Sequence, residues 1–236
     1  DTPTSLVRSV PVGSAELVGQ VRPAPEQWIN VVVDGNPNRM IPGCVDYRWE
    51  YEVYVCRQVT STDSDGNTTT REECNWQTVR SDSGYVPFML HDGTGGIRVE
   101  SGSFKRKDLG NYVKRWTSSH ADTLRDHFQT EFAARLFRNG DVRKHRWTAH
   151  ALRIGNPVYL LGMVKPRSNE EMAQENLAGT VGHTAISVHG ENSPGMKANI
   201  QRGTELANLG KIRSSAELLI MPIVCILCGI SMFALI

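Results

Sequence analysis

The sequence has almost no net charge: 26 Lys and Arg stand against 25 Asp and Glu in 236 residues. No global field therefore draws it to nucleic acid or to an anionic surface, and any such contact must come from a local patch. Cysteine is scarce as well. The five present do not supply the paired ligand sets of a structural zinc site. Internal repeats and low-complexity tracts are missing, so neither a solenoid nor a chain disordered throughout is expected. With 39% hydrophobic residues the chain can bury one good core or two small ones, and one domain with appendages is the expectation. The first residue is Asp1 rather than Met, which fits a processed or truncated chain.

Charge is also missing from the last 19 residues, Leu218 to Ile236. As a helix rising 1.5 Å per residue they would span about 28 Å, close to the ~30 Å of a bilayer's hydrocarbon layer. A transmembrane helix over 216–236 is expected, single-pass in the sequence as it stands, with the side of the membrane open. Cys225 and Cys228 lie inside this run, where a thiol acts as a small apolar side chain. Ahead of it, Ile200, Leu206, Leu209 and Ile212 recur at helical spacing, so 197–215 reads as a juxtamembrane helix.

The first hundred residues are β-rich. Alternating or β-branched runs bounded by Gly, Pro and Asn recur at 6–12, 15–21, 28–33, 47–60, 72–79, 85–90 and 96–100. Over about 118–138 the period changes: Ala121, Leu124, Phe128, Phe132 and Leu136 share one helical face, Ser118 and Ser119 can cap its start, and Asn139 with Gly140 can stop it. Strand-like runs return at 147–154, 158–164 and 184–189. The fold class expected is α+β: a β-rich, OB-like, partly open barrel over 1–196 with an inserted amphipathic helix, followed by the C-terminal transmembrane helix.

A hairpin over about 47–79 places Cys56 and Cys74 opposite each other if Asp65 is its centre. That is a feasible cross-strand disulfide, and it would imply an oxidising compartment. Asn67, followed by two threonines at the same tip, is a glycosylation acceptor that fits such a compartment. The alternative is a pair of reduced, buried cysteines in a reducing one.

Three stretches carry a resemblance. Residues 2–13 read T-P-T-S-L-V-R-S-V-P-V-G and 17–23 read L-V-G-Q-V-R-P; residues 86–99 read V-P-F-M-L-H-D-G-T-G-G-I-R-V; residues 152–162 read L-R-I-G-N-P-V-Y-L-L-G. In that order they resemble the GIDE ("beside a membrane") family, the membrane-proximal domain of mitochondrial and chloroplast ubiquitin ligases and of many bacterial and archaeal membrane proteins. Physics accounts for these stretches without chemistry. Pro87 and Phe88 start a strand, Asp92 to Gly96 supply a turn, and Gly155 and Gly162 mark a second strand pair, with Arg98 and Glu100 expected on an open face. The ligase members carry a zinc-binding RING, whose eight ligands have no counterpart here, so transfer of ubiquitin by this chain is not expected. The acidic residue that the family often places before its L-x-x-G strand is also missing: Trp147, Thr148, Ala149 and His150 stand there.

No catalytic, cofactor or metal site is expected, because no nucleophile and base, and no ligand set, can be named. Asp92 lacks the neighbours of an aspartic-protease or phosphorylation loop, and His120, His127, His145 and His150 have no third ligand at a fitting spacing. The basic runs Lys105, Arg106 and Lys107, and Arg143, Lys144 and Arg146 beside Trp147, are candidate lipid or partner contacts. The function expected is a non-catalytic, membrane-anchored interaction or scaffold domain, an accessory subunit pairing with other membrane-protein subunits or with itself. A lipid-contacting sensor of membrane stress is the second reading. An OB-like nucleic-acid binder is the third, and the near-zero charge argues against it.

Overall fold

The computed structural model describes residues 4–24, 28–119, 141–175 and 182–203. Twelve strands and one short helix run through them: β1 (Gly13–Pro23), β2 (Ile29–Val32), β3 (Met40–Thr62), β4 (Thr68–Tyr85), β5 (Phe88–His91), β6 (Gly96–Val99), β7 (Lys107–Asp108), β8 (Lys114–Ser119), β9 (Asp141–Arg153), β10 (Pro157–Pro166), α1 (Asn169–Gln174), β11 (Ile186–His189) and β12 (Asn199–Arg202). They sort into two compact units interleaved along the chain, Asp1–Arg22, Phe88–Asp108 and Gly155–Ile236 in one, and Pro23–Pro87 with Leu109–Ile154 in the other.

The first unit is a closed five-stranded barrel. Its order is β1, β5, β6, β11, β10, and β10 pairs back to β1 from Val164 opposite Gly13 to Pro157 opposite Gln20. The β6–β11 pair is parallel, and β12 and β7 extend the sheet from β10. This order is compatible with an OB-type barrel. Alternation fills the interior: Ala15, Leu17, Phe88, Leu90, Ile97, Val99, Val158, Leu160 and Val188 are buried. Each of the large ones contributes about 1.5–3 kcal/mol by leaving water. A β-carbon at Gly162 would meet Val188 Cγ1 at 2.7 Å and the His189 carbonyl oxygen at 2.9 Å, so only glycine lets β10 and β11 approach this closely.

The second unit is a half-barrel ordered β2, β3, β9, β8, with β4 also paired to β3. The 23-residue β3 serves three partners: β2 along its first residues, β4 from Asp46 to Thr62, and β9 on its other flank from Cys44 to Cys56. Its inward positions, Trp49, Tyr51, Val53 and Val55, pack with Val142, Trp147, Ala149 and Ala151 of β9. Beyond Cys56 the pairing to β9 has ended, and β3 and β4 continue alone as a two-stranded ribbon to a turn at Asp63 and Gly66.

Several expectations change here. The strand expected over 6–12 is instead a 3-10 turn at Val7–Ser9. Ser118 and Ser119, counted with the helix expected over 118–138, end β8 instead, opposite His145 and Lys144. The rest of the expected inserted helix, 120–138, lies outside the described residues. The juxtamembrane helix expected from 197 meets a strand, since β12 pairs antiparallel with β10 and parallel with β7, burying Ile200. The remainder, 204–215, and the transmembrane run at 216–236 lie outside the described residues. Among the described residues no helix is long and apolar enough to cross a membrane.

Candidate functional site

The β5–β6 turn holds the side chain that looks most chemical, and its geometry is structural. Asp92 Oδ2 accepts the Val7 backbone N–H at 2.8 Å. Its Oδ1 accepts the Thr94 N–H at 2.8 Å, the Thr94 hydroxyl at 2.7 Å and the Gly95 N–H at 3.2 Å. Burial alone would raise the pKa of this carboxyl, but the donors from Val7, Thr94 and Gly95 outweigh it and hold the pKa below the usual aspartate value. A carboxylate so committed ties the N-terminal 3-10 turn to the β5–β6 turn. Its lone pairs are spent on holding two turns together rather than offered to a substrate.

Arg98 corrects the expectation of an open face. Its Nη1 donates to Glu175 Oε1 at 2.7 Å and its Nε to Glu100 Oε1 at 2.5 Å, while Arg167, nearly buried, donates to the same Glu175 carboxylate. Glu175 is the C-cap residue of α1, whose start is held by a capping box between Ser168 and Glu171. The two guanidiniums therefore pin this helix to the barrel.

In the other unit, sequence reasoning missed a buried stack altogether. The Arg39 guanidinium lies 3.4 Å over the Trp147 ring, Trp147 stacks on Tyr51 at 4.8 Å between centroids, and Tyr51 stacks on His145 at 5.9 Å. The Tyr51 hydroxyl and His145 Nδ1 are 2.7 Å apart. Asp34, held at a φ of 53°, closes the end of the stack: it accepts the Trp147 indole N–H at 2.9 Å and Arg80 Nη1 at 2.7 Å, with Arg39 Nη1 at 3.8 Å. The tyrosine pKa is pushed up to about 12, first by burial and then by the Asp34 carboxylate. Burial likewise pushes the free Cys44 thiol up to about 11, against the pull of Arg153.

The stack decides the fate of the basic run at 143–147. Trp147 is 0% exposed and so is no surface contact, because odd positions of β9 from His145 to Ala151 point inward. Arg146 points outward, but it donates to both Glu52 oxygens at 2.7 and 2.9 Å and covers the Trp76 ring at 3.9 Å. Arg143 pairs with Glu72. Lys144 is exposed. On the barrel unit Lys105 and Arg106 are exposed and Lys107 is half-buried in β7. The two basic runs thus belong to different units. His150 Nδ1 lies 3.0 Å from the Gly110 carbonyl oxygen; His120 and His127 are outside the described residues.

The ribbon of β3 and β4 carries the remaining candidates. Cys56 and Cys74 stand directly opposite and are joined by a disulfide, with Cα atoms 4.1 Å apart. Among the described residues they form, with Glu72, the cluster spaced like metal ligands, and the disulfide occupies both thiols. At the tip Asp63 Oδ1 accepts the N–H groups of Asn67 at 2.8 Å and Asp65 at 3.0 Å, leaving Asn67 exposed. The Asn67 N–H, ahead of every other influence, holds the Asp63 carboxyl below its usual pKa.

The family model GIDE, described as E3 ubiquitin ligase, matches residues 57–176, just over half of the chain. The chain belongs to the GIDE family. No curated protein and no solved structure matches it. The GIDE match takes in the β5–β6 turn with Asp92, the tip of the ribbon, the stack's Trp147 and His145, and α1 up to Glu175. Gly155, at a φ of 83° before β10, and Gly162 belong to the same stretch. The geometry at the family's motif residues is that of turns and close strand approaches.

Proposed function

We propose that this GIDE chain is a non-catalytic, membrane-anchored interaction domain, an accessory part of a larger membrane assembly, and that it docks through the outer edge of β4. The observation that carries this reading is the edge itself. β4 is 18 residues long and pairs only with β3 among the described residues, and its side chains are exposed or half-exposed along their length. A strand edge of that length is a template for another chain's backbone. Barrel closure leaves the first unit no comparable edge among its five core strands.

The non-catalytic part is supported by where the reactive groups go. Asp92, Glu175, His145 and Arg146 are all committed to internal bonds. We take the barrel to be of OB type and the uncharged run at 218–236 to be a membrane anchor. Burial of Trp147 and neutralisation of Arg143 and Arg146 weaken the nucleic-acid reading, since a stacking platform needs open rings among open cations. Lipid contact keeps one specific support, the exposed pair Lys105 and Arg106.

The test is solubilisation of the native protein in mild detergent, followed by size and mass analysis. Stoichiometric membrane-protein companions, or a defined self-assembly, are expected. A lone monomer would overturn the reading. Flotation of the same sample with anionic vesicles, lost on joint Lys105→Glu and Arg106→Glu substitution, would favour lipid contact instead.

A further inference from the structure

The ribbon tip carries a modification site with its own physical logic. In the whole sequence Asn67, Thr68 and Thr69 form the only Asn-x-Ser/Thr triplet in which the middle and following residues are not proline. All three side chains are exposed. They sit where the chain leaves the turn, with Thr68 opposite Thr62 and Thr69 opposite Ser61, so the neighbours on this part of the ribbon are small hydroxyl side chains. Gly66, at a φ of 81°, has open space where a β-carbon would stand. The ribbon runs past the end of β9, and from Arg57 to Thr70 its strands pair only with each other among the described residues. Among the described residues no other strand covers the tip. Among the described residues the Asn67 amide nitrogen itself reaches only Asp63 Oδ2, at 3.4 Å, a contact long enough to give up.

A second, independent feature lies seven residues along the same strand. The Cys56–Cys74 disulfide closes the base of the ribbon. Disulfides persist in oxidising compartments, and those are the compartments in which asparagine glycosylation takes place. One ribbon thus holds both marks of an extracytoplasmic surface, one at its base and one at its tip.

We propose that Asn67 carries an N-linked glycan and that the half-barrel unit faces the extracytoplasmic side of its membrane. In the reaction the Asn67 amide nitrogen attacks C1 of a lipid-pyrophosphate-linked oligosaccharide. The C1–N bond forms, the C1–O bond to pyrophosphate breaks, the amide loses one proton, and the lipid pyrophosphate departs with the electron pair. The cell's transferase supplies the catalysis, and this chain supplies an accessible acceptor. The inference does not depend on the docking reading: a glycan on Asn67 is compatible with a lone chain, and partners are compatible with a bare asparagine.

The experiment uses the full-length chain recovered from membranes of its own cells. Trypsin releases 58–71, a peptide bounded by Arg57 and Arg71 in which Asn67 is the only asparagine. The expected result is that this peptide carries a sugar mass increment, lost completely in Asn67→Gln and in Thr69→Ala and kept in Thr69→Ser. Cys56 and Cys74 should resist maleimide until reduced. The three variants change exposed tip residues and leave the packed sheet untouched, so all should reach the membrane. An unmodified 58–71 peptide in the native chain, an increment that survives Asn67→Gln, or thiols that label without reduction would each overturn the proposal.

Discussion

The two units of this chain handle polar groups in opposite ways. In the closed barrel, Asp92 and Glu175 sit at turns and helix ends, where they gather backbone N–H groups and guanidiniums from neighbouring segments. In the half-barrel, Asp34 and Arg39 are buried at the end of an aromatic stack, and the longest strands run on past the core to end in a disulfide-closed ribbon. The reason is geometrical. Closure satisfies the barrel's strand edges, so its polar residues are needed only where the chain turns. An open sheet lacks that saving, and the half-barrel stabilises itself with a large inward aromatic cluster and a covalent staple.

This contrast can be broken experimentally, and the largest effect is expected at the stack. Trp147→Ala removes the ring between Arg39 and Tyr51 and the indole donor to Asp34; the expected loss is about 3–5 kcal/mol in chemical denaturation. A loss under ~1 kcal/mol would mean that the stack holds little of the unit together. Next comes the staple. Reducing Cys56–Cys74, whose members are 18 residues apart, should cost the ribbon about 3 kcal/mol on the loop-entropy account. Hydrogen exchange is the readout: amides of 57–73 should lose protection while those of β9 keep theirs. Equal loss in both would place the staple's effect in the whole unit.

In the barrel, Gly162→Ala forces a β-carbon against Val188 and the His189 carbonyl and should cost about 1–3 kcal/mol by thermal unfolding. Asp92→Asn should cost about 1 kcal/mol at neutral pH. Because the folded carboxyl stays ionised to lower pH than the unfolded one, its contribution is complete above about pH 4 and fades as pH falls through the folded value. The difference between wild type and Asp92→Asn should accordingly shrink in acid; a difference that grows there would reverse the assignment. The smallest effect is expected at Arg143→Ala, whose pair with Glu72 is solvent-exposed, within roughly 1 kcal/mol.

Much of the strand content and the hairpin's centre were legible in the sequence. Nearly equal arms about Asp65 place Cys56 against Cys74, and a bulge between Tyr51 and Glu52 lies too far down the ribbon to disturb that pairing. The turn at Asp92 was legible because Asp, Gly and Thr suit it. The division into two units was not. Periodicity reports that 40–62 is extended but not that one strand has three partners, and register is set by contacts far away in sequence. Ser118 and Ser119 misled in their own state: a 3.6-residue pattern runs on from them, while pairing to β9 places both in β8. Ile200 misled in the same way: it fits a helical spacing with Leu206, yet its backbone is drawn into the barrel sheet by β10. Trp147 carried a readable signal, its two-residue alternation with His145, Ala149 and Ala151, which marks the inward face. Nothing in the sequence pointed to Asp34, whose carboxylate is matched to Arg39, Arg80 and Trp147 only in the folded chain.

The central claim, that the open unit rather than the closed barrel meets the partner, is tested most directly by photo-crosslinking in native membranes. A photoreactive residue replaces Gln77 on β4 in one sample and Glu16 on β1 in another. The expected result is a discrete adduct from position 77 and none from position 16. Adducts from position 16 alone, or from neither position, would contradict it.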